Sequence, residues 1–142
     1  MSDYNAALAL SRGLHNFLAN QVHIQDHLGN PPRLYDDPPE DPIFPYLTYG
    51  PLRSENISAE GAVITQHVLS LHLWSRYNGR TETLELVGLV SGLIETGQIE
   101  MSGATLISRH IILTDVFRAT DGLTQHGIIR MRLTTERELE SI

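Results

Sequence analysis

Residues 31–51 read PPRLYDDPPEDPIFPYLTYGP and hold all seven prolines of a 142-residue chain. Each proline fixes its own φ and pushes the residue before it out of the helical region, so no helix can form here. A central strand is excluded until after Pro45, because proline cannot donate to a ladder. The stretch is expected as an extended, partly polyproline-like arm. Asp36, Asp37, Glu40 and Asp41 keep it wet, while Leu34, Tyr35, Ile43, Phe44 and Tyr46 are its apolar anchors. From Tyr46 to Leu52 the chain turns into a strand, with Gly50-Pro51 as a bend or bulge.

Upstream of the arm, residues 3–20 read as an amphipathic helix. Leu10, Leu14, Phe17 and Leu18 share one side and Arg12, His15 and Asn16 the other. Ser2 or Asp3 can cap its start and Asn20 can end it. Val22 and Ile24 read as a short extended piece, followed by loop through Gly29-Asn30. Downstream, residues 53–64, RSENISAEGAVI, are small and polar and read as a mobile loop or the tip of a long hairpin.

The strand at residues 66–77 is the clearest in the chain. Leu69, Leu71 and Leu73 point one way, and Val68, Ser70, His72, Trp74 and Arg76 the other. A helix over 80–97 follows, its broad stripe made by Leu86, Val87, Leu89, Val90, Leu93 and Ile94. Strands over 105–118 and 125–135 flank the hairpin turn signal Asp121-Gly122. The expected fold class is α+β, one domain over 1–142. It has a mainly antiparallel sheet of about four strands, two helices packed on one face, the proline-rich arm and a projecting loop. The uncovered face would carry Val68, His72, Trp74, Ile128, Arg130 and Arg132, a half-apolar surface that favours self-association.

Composition narrows the function. There is no cysteine, which excludes disulfides and thiolate metal sites. The net charge is −7, and all ten cations are arginine. So acidic a chain should not wrap DNA, although DNA could pass it without sticking. Apolar runs fall far short of a membrane span, and the start lacks the pattern of a secretory signal. Folding is therefore expected in the cytosol.

The residues carry little catalytic pattern. His67 and His72 are five apart on a strand and so face opposite ways. His23 and His27 are four apart, but HIQDH lacks the glutamate of a zinc protease motif. The acids of the arm lack calcium-loop spacing. No serine sits in a nucleophile elbow, and no glycine-rich phosphate loop is present. No cofactor or metal is expected. A small enzyme using His72 or His126 is the alternative from another class. Trp74-Ser75-Arg76 reads instead as a half-buried strand aromatic that doubles as an interface anchor.

Leu34-Tyr35-Asp36, Pro39, Phe44-Pro45-Tyr46-Leu47 and Gly50, in that order, resemble a pattern of the phage tail completion family. His72-Leu73-Trp74-Ser75-Arg76 with Gly79, then Asp121-Gly122 and His126-Gly127, continue the likeness. The family comprises tail terminator or head-to-tail joining proteins of long-tailed phages and gene transfer agents. The resemblance implies a structural subunit, not an enzyme. It would form a homo-oligomeric ring, usually six-fold, that caps the tail tube and stops its polymerisation. Its partners would be the tail tube protein and a neck or head-completion protein, with DNA passing through unbound. A neck or head-completion role in the same particle is the alternative. The chain would be made in the host cytoplasm and built into the particle. On this reading Tyr35, Asp36, Pro39, Phe44, Pro45, Tyr46, Trp74, Arg76, Arg130 and Arg132 are expected at interfaces. Arg53, Ser54, Glu55, Asn56, Glu60 and Gly61 are expected on a loop toward the lumen or tube.

Overall fold

A computed structural model describes residues 4–139. Three helices and five strands follow one another as α1 (Ala6–Ala19), α2 (Val22–Leu28), β1 (Leu34–Tyr35), β2 (Tyr46–Asn56), β3 (Ile64–Ser75), α3 (Thr81–Thr96), β4 (Ala104–Arg118) and β5 (Gln125–Arg137). The strands make one sheet in the order β1-β2-β3-β5-β4. It is mixed, because β1 runs parallel to β2 and every other pair is antiparallel. The α+β expectation holds, with one more strand and one more helix than the sequence reading gave.

The core lies between the helices and one face of the sheet. Leu10, Leu14 and Leu18 of α1, Ile24 and Leu28 of α2, and Leu86, Val90 and Ile94 of α3 meet Leu47, Leu71, Leu73, Ile129, Met131 and Leu133. All of these are essentially fully buried. Each such side chain contributes roughly 1.5–3 kcal/mol, which is why periodicity outweighs local propensity here. Gly127 of β5 lies where α3 presses closest. A Cβ there would sit 2.8 Å from Cγ2 of Val87 and 2.9 Å from Cγ2 of Thr83. The far end of α3 is held by β4, whose Arg109 donates to the carbonyls of Ile94 (2.7 Å) and Gly97 (2.5 Å). A cation at a helix C-terminus satisfies carbonyls that have no partner inside the helix.

Four expectations need correction. Helix α1 starts at Ala6, capped by Asn5, whose Oδ1 accepts from the Leu8 amide at 3.0 Å. The expected caps Ser2 and Asp3 lie outside the described residues. Val22–Leu28 is helical rather than extended, because Ile24 and Leu28 at i and i+4 both bury fully. Burial of that pair overrode the β-branched propensity of Val22 and Ile24. Leu34-Tyr35, inside the arm, is a short strand: it pairs with Leu47-Thr48, where the Leu47 amide reaches the Arg33 carbonyl.

The fourth correction concerns the loop over 53–64. Arg53, Ser54, Glu55 and Asn56 are strand residues, paired with Val68, His67, Gln66 and Thr65. Only residues 57–63 form the hairpin tip, which holds Glu60 and Gly61. Arg53–Asn56 are exposed, so no apolar alternation marks them, and the ladder to β3 alone makes them strand. The bulge expected at Gly50-Pro51 is present as a register shift between Tyr49 and Leu52.

The uncovered sheet face

Strand register turns the face away from the helices into a map of cross-strand rows. Residues directly opposite one another point the same way. The first row is Tyr46, Trp74, His126 and Phe117, on β2, β3, β5 and β4 in turn. The next is Thr48, His72, Ile128 and Asp115. Beyond it lie Ser70, Arg130 and Leu113, and then Arg53, Val68, Arg132 and His110. One end of the face is aromatic, the middle rows carry the arginines, and the rows beyond them hold Glu55 and Glu136.

The aromatic end is a stacked cluster. The Trp74 ring lies on His126 with centroids 3.9 Å apart and an interplanar angle of 18°. Tyr46 and His72 flank Trp74 at 6.3 and 6.1 Å, and Phe117 lies 4.8 Å from His126. The Trp74 indole donates to Thr48 Oγ1 at 3.0 Å. His72 Nδ1 and His126 Nε2 are 2.7 Å apart, so one ring donates to the other. Burial, then the neighbouring His72, pushes His126 down to about 4, while Asp115 pulls the other way. Burial and Arg130 push His72 down too.

The arm closes onto this end. Phe44 packs 5.1 Å from Tyr46, and Tyr35 lies 6.0 Å from it. The Arg76 guanidinium sits 4.4 Å over the Phe44 ring and 3.8 Å from Asp121. Asp121 also accepts from the amides of Leu123 and Thr124 and from the Thr124 hydroxyl, which together hold its carboxyl down at about 2. Tyr46 is buried, and that burial raises its phenol. Phe44, Tyr46 and Trp74 thus bind the arm to its own subunit.

The expected interface residues divide. Tyr35, Phe44, Pro45, Tyr46, Trp74 and Arg76 gather at the aromatic end, with Pro45 offering its carbonyl to Arg33 Nε. Arg130 and Arg132 lie on the same face but in the basic rows. Pro39 and Asp36 are exposed on the arm, and Asp36 acts on the Tyr49 phenol at the helix side of the sheet edge. His126 and Phe117 were missing from the expected interface set. Alternation through Ile128, Arg130 and Arg132 would have found His126. Two bulges in β4, at Leu106/Ser108 and Ile111/Leu113, hid the side to which Phe117 belongs.

His67 is structural in its contacts. His67 is fully buried between Ser54 Oγ (2.7 Å) and Thr135 Oγ1 (2.9 Å), and burial lowers its pKa. His23 and His27 share α2 and are both exposed. Among the described residues no group of three or more acids and histidines is placed to hold a metal.

The sequence model of the family described as tail completion protein gp17 matches residues 12–136. The chain belongs to that family. It is 25% identical over 99 residues to the tail completion protein gp17 of Bacillus phage SPP1, spanning 70% of this chain and 73% of that protein. A chain from the virion of a native gene transfer agent particle shares its fold with a TM-score of 0.82 at 17% identity. The likeness covers 94% of this chain and 99% of that one. The structure of bacteriophage SPP1 gp17 gives a TM-score of 0.63 at 23% identity, over 91% and 90% of the two chains. The family is one of tail completion proteins rather than of enzymes, so the resemblance read from the sequence is borne out.

Proposed function

We propose that the chain is a structural tail completion subunit that forms a ring, six-fold by the family resemblance, on the end of a tail tube. The ring terminates tube growth and joins the tail to the neck or head. What carries the reading is the family match across residues 12–136. The uncovered face supports it, because a row of Trp74, His126 and Phe117, with exposed Leu113 two rows away, favours protein contact. The hairpin tip over 57–63 would face the lumen or tube, and a net charge of −7 lets DNA pass without adhering. Its partners are further copies of itself, the tube protein and a neck protein.

Deletion of the chain from its particle tests this reading. Loss of a terminator leaves overlong or unjoined tails. Normal tails beside leaky heads would move the chain to the neck instead, and particles indistinguishable from the parent would refute both roles.

A further inference from the structure

Charge on the uncovered face changes sign along the strands: Asp115 lies one row from Arg130 toward the aromatic end, and Glu55 one row beyond Arg53 and Arg132. Arg53, Arg130 and Arg132, with His110, occupy the adjacent rows between those two acids. All are exposed. None has a carboxylate partner: among the described residues the ion pairs are His23–Asp26 and Arg76–Asp121. Arg130 makes only a long contact to Ser70 Oγ at 3.4 Å. At the aromatic end, Glu40 and Asp41 line a recess with Phe44, Trp74 and Arg76. Those two carboxylates are also exposed and in no ion pair.

The arginine rows and the acids of the arm do not meet within one subunit. Trp74 and Val68 are six residues apart on β3, which at ~3.3 Å per residue is about 20 Å. An ion pair needs its atoms within about 4 Å. The arm is also fixed at the aromatic end by Phe44 and Tyr46. The face thus holds arginines outside any ion pair in its middle rows and carboxylates outside any ion pair at its aromatic end, which a second molecule can bring together.

We propose that the basic rows around Arg130 and Arg132 are the docking surface for a second copy of this chain, which presents Glu40 and Asp41 of its arm. This rests on the ring reading above and names its contact. Exposed Leu113 beside Arg130 supplies apolar area at the joint. The exchange of unlike regions is directional. Repeated head to tail it closes a ring, whereas two copies laid face to face would satisfy both regions at once.

Charge reversal tests the contact, read by sedimentation velocity on the full chain at low and high salt. The parent chain should associate, more strongly at low salt. Arg130→Glu/Arg132→Glu and Glu40→Arg/Asp41→Arg should each weaken association at least about tenfold, since like charges then face each other. An equimolar mixture of the two variants should recover it. If either reversal disturbs folding by circular dichroism, the neutral Arg132→Gln and Glu40→Gln should each still lower association and remove its salt dependence.

A mixture that stays apart while the parent assembles overturns this contact and leaves the ring standing. A parent chain that stays monomeric at low salt also overturns it, without touching the tail role. Association that stops at a dimer keeps the contact and sinks the ring. Single-stranded or duplex DNA oligonucleotides that bind through Arg132 would assign the basic rows to nucleic acid and overturn the proposal.

Discussion

Replacing Trp74 with alanine separates an arm anchored in its own subunit from a ring reserved for a neighbour. The Trp74 ring stacks on His126 at 3.9 Å, touches Tyr46 and His72, and donates to Thr48. It is half-buried in the single subunit. Half of about 200 Å² at ~25 cal/mol/Å² is about 2.5 kcal/mol. Lost stacking and the Thr48 hydrogen bond add about 1 kcal/mol, part of which water returns. The expected cost is therefore about 3 kcal/mol of subunit stability, before any assembly. With an unfolding entropy of about 2.1 cal/mol/K per residue over 142 residues, Tm should fall by about 10 °C. The assay is urea and thermal denaturation of the dilute chain, comparing Trp74→Ala with Trp74→Phe. The phenyl ring keeps most of the stacking, so it should lose less than half as much. A Trp74→Ala midpoint within about 3 °C of the parent would refute the reasoning, because Trp74 would then be doing its packing only against another molecule.

Three further outcomes follow from the geometry. His126 and His72 have folded pKa values below their ordinary 6.5, so the unfolded chain binds more protons between about pH 6.5 and 4. Stability should be full above that window and fall as pH drops through it. For the partly exposed His126 the loss is on the order of 1 kcal/mol after solvent screening. His126→Phe should flatten the urea midpoint against pH, and an unchanged slope would refute the assignment. Gly127→Ala would place a methyl 2.8 Å from Val87 and should cost about 1–3 kcal/mol in denaturation, unless α3 can slide outward. Arg109→Ala removes two hydrogen bonds to the end of α3 and should lower stability by about 1.5–3 kcal/mol, whereas Arg109→Lys should recover part of it. Equal losses for Ala and Lys would mean that neither the stem nor the charge carries the effect and that the guanidinium geometry is required.

Much of the architecture could be read from residue periodicity. Leu69, Leu71 and Leu73 against His72 and Trp74 named the core side and the uncovered side of β3, and all three leucines are buried. The stripe of α3 and the Asp121-Gly122 turn were equally direct, because one face of each element is apolar. Helix α2 was missed because seven residues give only one i, i+4 pair, too little to outvote Val22 and Ile24. The end of β2 was missed because exposed polar residues can be strand when a neighbour supplies the ladder.

The sequence by itself determined that prolines would hold residues 31–51 out of a helix, that one sheet face would be core, and that Trp74 and Arg76 would share the other. Those follow from local sterics and from a period of two, which need no knowledge of the partner strand. Only the tertiary structure decided which residues stand beside Trp74. Register sets that, and register depends on strand order and on bulges that shift pairing by one residue. It brought His126 onto Trp74, laid Phe44 under Arg76, and set Arg130 and Arg132 about 13–20 Å along the strand from the Trp74–His126 row.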